Sequence, residues 1–368
     1  MKRTGQLWIN LGSLLIAILT VWGCSEIQQY PAETATPKIR MGYYASWKKT
    51  EFDHTKVQYK YLTHLAHAFT KPDSEGNLII DDGYIYPELN TAAHENNVKI
   101  IMSVGGWGRC EGFPGMVSTP ENRRRFIDQV LEFCRENAYD GADIDWEYIS
   151  NPEEQQNFVY FIKELSNALK AENPPLLLTM AVPSGHYWGR WISYEEVAED
   201  FDFIGCMTYD YHGEWTDHSG HNSPLFTCNN DPCGSMSDSY QYLTSSQVPV
   251  NKLLLGIPFY GRSFDCSGLY QKFETSSDYG YTEVMNFLNS GWTYLRDDCS
   301  KVPYLQNPEK TQIISFDDNW SVSLKCEYIK EKNVAGVIIW EISQDYDQDK
   351  SVLLEIIARE FEKKAPNE

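Results

Sequence analysis

Eight apolar, strand-like runs recur along this chain, and no other feature limits its possible folds so sharply. They are Ile39–Tyr44, His64–Thr70, Val98–Val104, Ala142–Glu147, Leu176–Val182, Phe203–Tyr209, Leu253–Phe259 and Val334–Glu341. Segments of helical length and apolar periodicity, Pro87–Asn97, Thr119–Ala138 and Asn151–Glu172, stand between several of them, each opening near a capping residue or an early proline. Repeated strand-helix alternation implies a parallel sheet, and eight such units close into a (β/α)8 TIM barrel, for which 368 residues are ample. The seventh and eighth runs stand farther apart than one barrel unit needs, and Gly268–Phe316 mixes aromatics with short apolar runs. So many rings argue against a disordered loop, and a small α+β insertion over residues 263–316, walling one side of a cleft, is expected.

One run breaks the apolar rule with carboxylates: Asp140-Gly141-Ala142-Asp143-Ile144-Asp145-Trp146-Glu147-Tyr148. If it is extended, Asp143, Asp145 and Glu147 share one face at about 6 to 7 Å between neighbours, with Ile144 and Trp146 on the other. Carboxylates crowded in an interior repel one another and lose hydration, so at least one holds its proton far above the usual range. A carboxyl still protonated at neutral pH is a general acid. Glu147, nearest the strand's C-terminal end, takes that role, with Asp145 to hold or share the proton. The same residues could bind a divalent cation, but no second acidic cluster at ligand spacing stands nearby. Barrel active sites lie at the C-terminal strand ends, where this chain carries Gly105-Gly106-Trp107, Tyr209-Asp210 leading to Trp215, Tyr260-Gly261-Arg262 and Trp340.

Composition narrows the substrate. The 52 acids against 31 bases give a net charge of -21, which excludes nucleic acid and anionic membrane surfaces as partners and suits a neutral ligand. Aromatic residues are 14% of the chain, 11 Trp and 24 Tyr among them; flat amphipathic rings are what a sugar-binding cleft uses. Lys2 and Arg3 ahead of the apolar run Leu11–Trp22 describe a secretory signal over residues 1–23. Val21-Trp22-Gly23-Cys24 resembles a bacterial lipobox, which would make Cys24 a lipid-bearing residue, 24–37 a polar tether, and 38–368 the catalytic barrel. The expected location is the cell envelope or surface, or otherwise the medium. Export permits disulfides: Cys228 with Cys233 reads as a loop staple, Cys266 with Cys299 as the closure of a longer excursion, and Cys206 as a buried thiol. No Cys or His spacing suggests zinc, and no cofactor is expected.

Taken in order, these residues resemble glycoside hydrolase family 18, the chitinase family. Its Asp-x-x-Asp-x-Asp-x-Glu signature stands here as Asp140, Asp143, Asp145 and Glu147, joined by Ser103-x-Gly105-Gly106, Met207-x-Tyr209-Asp210-x-His212-Gly213, Tyr260-Gly261-Arg262 and Trp340. The resemblance implies Glu147 as general acid, then base; Asp145 as the partner turning between Asp143 and the substrate; and Tyr209 as donor to the substrate's acetamido oxygen. It implies Asp210 and Arg262 on neighbouring hydroxyls, Trp340 as floor, and Tyr43, Phe69, Gly106, Trp107, Met207, Trp215 and Tyr260 as further cleft positions. Retaining glycosidases ordinarily supply a second carboxylate as nucleophile, whereas this family is a substrate-assisted exception in which the sugar's own acetamido oxygen attacks. The implied protein is a monomer acting on chitin or chitooligosaccharides, touching membrane only through a lipid on Cys24. Two rivals are an endo-β-N-acetylglucosaminidase acting on N-glycans and a chitin-binding lectin; the second typically lacks the acid that Glu147 provides. His67 stands where many members carry Tyr, which reads as a packing change.

Overall fold

A computed structural model describes residues 37–363, so the expected leader and the lipid-bearing Cys24 lie outside the described residues. Eight parallel strands run Ile39–Ala45, His64–Pro72, Lys99–Gly105, Gly141–Asp145, Leu177–Pro183, Phe203–Met207, Leu253–Pro258 and Gly336–Trp340. Each bonds to the next around the ring and the eighth to the first, which closes the barrel. Closure leaves no exposed sheet edge among the eight.

The eight apolar runs are these strands, trimmed where the working residues begin. Barrel strand 4 stops at Asp145 and strand 6 at Met207, so Glu147 and Tyr209 sit just beyond strand ends and not within them. The cause is visible after strand 3, where the Gly106 N–H donates to the Asp145 carbonyl at 2.8 Å as the chain turns away. Gly105 and Gly106 both hold φ in the left-handed half, +110° and +85°, and a Cβ on Gly105 would stand 2.1 Å from that carbonyl. Only glycine allows this crossing.

Helices Pro87–Glu95, Pro120–Asn137 and Pro152–Lys170 begin on proline; the Thr119 side chain accepts from Asn122 N–H, and Asn151 from Glu153 and Glu154 N–H. Their apolar faces, with Phe126, Val130, Phe158 and Phe161, share one core with the outward-pointing Ala142 and Ile144. Strand alternation sends Asp143 and Asp145 the other way, into the lumen. There a separate apolar group, Met41, Tyr43, Ala66, Ala68, Ile101, Leu254 and Ile338, packs the barrel.

Between strands 7 and 8 a five-stranded antiparallel sheet, ordered Ser276–Gly280, Tyr260–Phe264, Ile313–Ser315, Val302–Gln306 and Thr293–Asp297, carries the helix Tyr281–Asn289. Tyr260 and Arg262 therefore lie on the first strand of the inserted sheet, and their i, i+2 spacing gives them one face.

The disulfide differs from expectation. Cys228 joins Cys299, while Cys233 and Cys266 carry free thiols. Proximity in sequence misled: Leu225 N–H donates to the Ser300 carbonyl, which brings the inserted sheet alongside Cys228, while Cys233 N–H turns to the Asp231 side chain. Cys206 is buried and free, as read from its strand.

Below the strand 6 loop, Lys325 is fully buried and holds Asp317 at 2.6 Å and the Ser223 hydroxyl at 2.7 Å; Ser223 in turn donates to the Thr208 carbonyl at 2.6 Å. This relay fixes the backbone immediately before Tyr209. Removing one member strands a charge in the interior, so Lys325→Met should lower unfolding free energy by about 3–5 kcal/mol. Urea denaturation checks it, and a loss within experimental error of zero would show that the pair anchors nothing.

Candidate active site

Asp143 lies deepest in the lumen and is anchored on three sides. Its Oδ2 accepts from the Tyr43 hydroxyl at 2.9 Å and from Ser103 at 2.7 Å, and its Oδ1 from Thr179 at 2.6 Å. Burial raises its pKa, and these three donors oppose the rise. Asp145, one inward position farther along the strand, has no such help: its Oδ1 is buried without a partner. Burial, then the charges of Glu147 and Asp143, hold its carboxyl well above the carboxylate range. Glu147 follows at the rim. Burial pushes it up to about 7, Asp210 adds to the rise, and a hydrogen bond from Tyr148 opposes it. The result is a row with a fixed base, a squeezed middle and an outermost carboxyl that keeps its proton near neutrality, with Asp145 and Glu147 titrating as a pair.

The backbone that presents Glu147 is itself held. Its N–H donates to Cys110 Sγ at 3.2 Å, and the Cys110 thiol lies 3.3 Å from the carbonyls of Gly106 and Asp145. On the outer face Trp146 stacks on Phe113 at 4.9 Å, so the strand end cannot rotate without breaking core contacts.

Across the opening, Tyr209 is buried edge-on to Tyr260 at 6.1 Å. Burial, then Asp145, Asp210 and Glu147, raise its phenol, which keeps the hydroxyl a donor beside the acids. Asp210, held in the left-handed region at φ +58°, accepts on Oδ1 from Tyr260 at 2.7 Å and from Arg262 at 2.6 Å. Arg262 also pairs with Asp278 at 2.9 Å and lies over the Trp215 ring at 4.7 Å. One guanidinium thus ties the inserted sheet to the strand 6 loop, and the exposed Trp215 face covers it.

The floor is aromatic. Trp340, half-buried, stacks on Phe69 at 5.5 Å and meets Tyr43 at 5.6 Å, and the exposed Trp47 lies 6.1 Å from Phe69. Met207 packs with Trp340 against the lumen group. A Cβ on Gly106 would strike the Phe69 ring at 2.5 Å. Beyond Trp47 and Phe69 the floor continues into a recess of about 480 Å³ lined also by Asp81 and Arg109. Trp107 is 77% exposed and stands 6.4 Å from Tyr148.

Apart from Asp140 and His67, the residues singled out from sequence for the cleft lie at or near the C-terminal strand ends, but several neighbours were missed. Thr179 and Cys110 support the acids, and Asp278 shares Arg262. Tyr148, half-buried, stacks on the exposed Trp188 at 4.8 Å, which in turn meets the exposed Tyr187. A polar Thr inside the apolar strand 5 was a readable signal; the pairing of Tyr148 with Trp188 left none. Asp140, first of the signature acids, belongs to the opposite end, where it pairs with Lys99 and His94 and accepts from Ile100 N–H. His67 is packing: it is buried, stacks on Tyr84 at 4.2 Å and meets the Tyr139 hydroxyl at 2.8 Å.

The family model described as Glycosyl hydrolases family 18 matches residues 39–345. Chitinase A1 of Niallia circulans is 29% identical over 94% of this chain, which spans 61% of that protein's length. Chitinase 1 of Aphanocladium album is 26% identical over 82% of the chain and 80% of its own length. Among solved structures, the Ostrinia furnacalis group IV chitinase in complex with allosamidin superposes with a TM-score of 0.81 at 29% identity, covering 88% of this chain and 98% of that one.

Glu147 keeps its proton in mild acid and should lose it as pH rises through about 7. Because Asp210 contributes to that upward shift, Asp210→Asn moves the midpoint down. Infrared difference titration of the carboxyl stretch, with Glu147→Gln to identify the band, reads both; a Glu147 midpoint in the ordinary carboxylate range would contradict the crowded-acid account.

Proposed function

The chain belongs to glycosyl hydrolases family 18, and from that premise we propose that it is a chitinase cutting β-1,4 bonds between N-acetylglucosamine units with retention. The observation that carries the reading is Glu147, pushed up to about 7, in a row with Asp145, whose buried Oδ1 has no partner. Glu147 gives its proton to the bridging oxygen as that bond breaks, and the acetamido oxygen of the same sugar closes on the anomeric carbon to form an oxazolinium ion. Asp145 accepts from the acetamido N–H, and Tyr209 donates to the acetamido oxygen, which orients the internal nucleophile. Glu147, now ionised, takes a proton from water, whose oxygen opens the oxazolinium and restores the acetamide. Two inversions at one carbon give net retention.

Trp340 supports the sugar whose bond is cut, flat ring against pyranose face, and Asp210 and Arg262 contact its neighbours' hydroxyls. The exposed rings Trp47, Trp107 and Trp215 suit the further units of an oligomer. Among the described residues no helix is long and apolar enough to cross a membrane. The reading includes export with Cys24 as the point of lipid attachment, and the Cys228–Cys299 disulfide supports an oxidising compartment.

Mass spectrometry of products from chitotetraose, its fully deacetylated counterpart and a high-mannose glycopeptide tests this. Chitotetraose should be cleaved and the deacetylated tetramer left intact, with Glu147→Gln lowering kcat by about 10²–10⁴. Equal cleavage of the deacetylated tetramer would remove the internal nucleophile. Glycan release from the glycopeptide with chitotetraose untouched would move the enzyme to the other activity.

A further inference from the structure

A second group of chemistry-bearing side chains converges just past Asp210. His212, His218, Asp231 and Cys233 each offer one ligand atom, and the four atoms lie within 4.8 Å of one another. His212 is fully buried, and its Nδ1 stands 2.9 Å from the His221 carbonyl. A carbonyl only accepts, so that nitrogen carries the hydrogen, and the neutral ring would present its lone pair on Nε2. Nε2 lies 3.0 Å from Asp231 Oδ2, yet in a direction that makes no hydrogen bond, which leaves it a buried nitrogen without a partner. A cation shared between that nitrogen and the Asp231 carboxylate would satisfy both groups.

The surroundings fit a metal. His218 holds Asp217 on Nδ1 at 2.6 Å and turns Nε2 toward Asp231 Oδ1 at 3.4 Å. An imidazole with its outer nitrogen on a carboxylate or carbonyl and its inner nitrogen aimed at a shared centre is the pattern of a metal-bound histidine. Cys233 N–H donates to Asp231 Oδ1 at 3.0 Å, which sets thiol and carboxylate on the same side. His212 fills the place a Cβ on Gly220 would take, 2.3 Å away, so only glycine lets the ring reach this position.

We propose that His212, His218, Asp231 and Cys233 hold one Zn²⁺ in a closed tetrahedral site. Two nitrogens, one oxygen and one sulfur suit zinc, and four protein ligands leave no open position, so the site is structural. At zinc bond lengths such donors stand roughly 3.3–3.7 Å apart, a contraction of about 1 Å from the present spread. The Cys233 thiol loses its proton to solvent on binding, and thiolate with carboxylate neutralises the dication. The metal clamps the excursion that follows Tyr209 and Asp210, so it secures that wall of the cleft. This does not depend on the substrate, and its failure would leave the chitinase reading untouched.

Elemental analysis of the exported, purified chain should find one zinc per chain. Replacement by Co²⁺ should give tetrahedral ligand-field bands and a thiolate-to-cobalt charge-transfer band. His218→Ala, which removes a direct ligand, should weaken zinc binding by at least about 100-fold, beyond the loss of an outer-shell partner, and Cys233→Ser should abolish the charge-transfer band. The proposal is overturned if the wild type takes up no stoichiometric zinc, if both variants bind it unchanged, or if peptide mapping without reductant finds Cys233 disulfide-bonded to Cys266. Should the variants fail to fold, the cobalt spectrum of the wild type decides alone.

Discussion

Three carboxyl groups crowded at the mouth of a barrel set the terms for everything around them. Left to water, Asp143, Asp145 and Glu147 would all be ionised at neutral pH; in the barrel, with the two aspartates deeply buried, burial raises the pKa of all three. The protein resolves the crowding asymmetrically. Asp143 is given three hydroxyl donors, Asp145 Oδ1 is given none, and Glu147 stands just beyond the strand end. A gradient of stabilisation within one strand turns repulsion into a proton held at the rim.

That gradient works only if the strand end cannot relax. Gly105 and Gly106 let the strand 3 turn press its backbone against the Asp145 carbonyl, and Cys110 holds the Glu147 N–H from beneath. On the other side of the opening, the buried Lys325–Asp317 pair props the backbone that leads into Tyr209. Both supports are rigid, short-range and hidden from solvent, the conditions under which a site keeps its geometry without substrate.

The inserted sheet does more than raise a wall. By placing Arg262 between Asp210 and Asp278, it makes the strand 6 loop and the insertion one electrostatic unit, and the Cys228–Cys299 bond joins them a second time. The cleft therefore has a lumen-side floor of stacked rings and a charged wall whose two halves come from distant parts of the chain.

Much of this was legible without coordinates. Eight apolar runs specified the barrel because strand and helix periodicities are local properties, and the acid row showed itself because carboxylates in an apolar strand are too costly to be incidental. The boundaries were less secure: Glu147 reads as the end of a strand, but where a strand stops depends on where its neighbours stop bonding. Pairings across the fold were beyond reach. Cys228 looks toward Cys233 in the sequence and toward Cys299 in space, Tyr148 meets Trp188, and His212 meets Asp231 and Cys233 only after the excursion folds back. Sequence by itself determined which residues must be buried and which chemistry they carry; tertiary structure alone decided their partners, because contacts between loops depend on the paths of both and no periodicity records them.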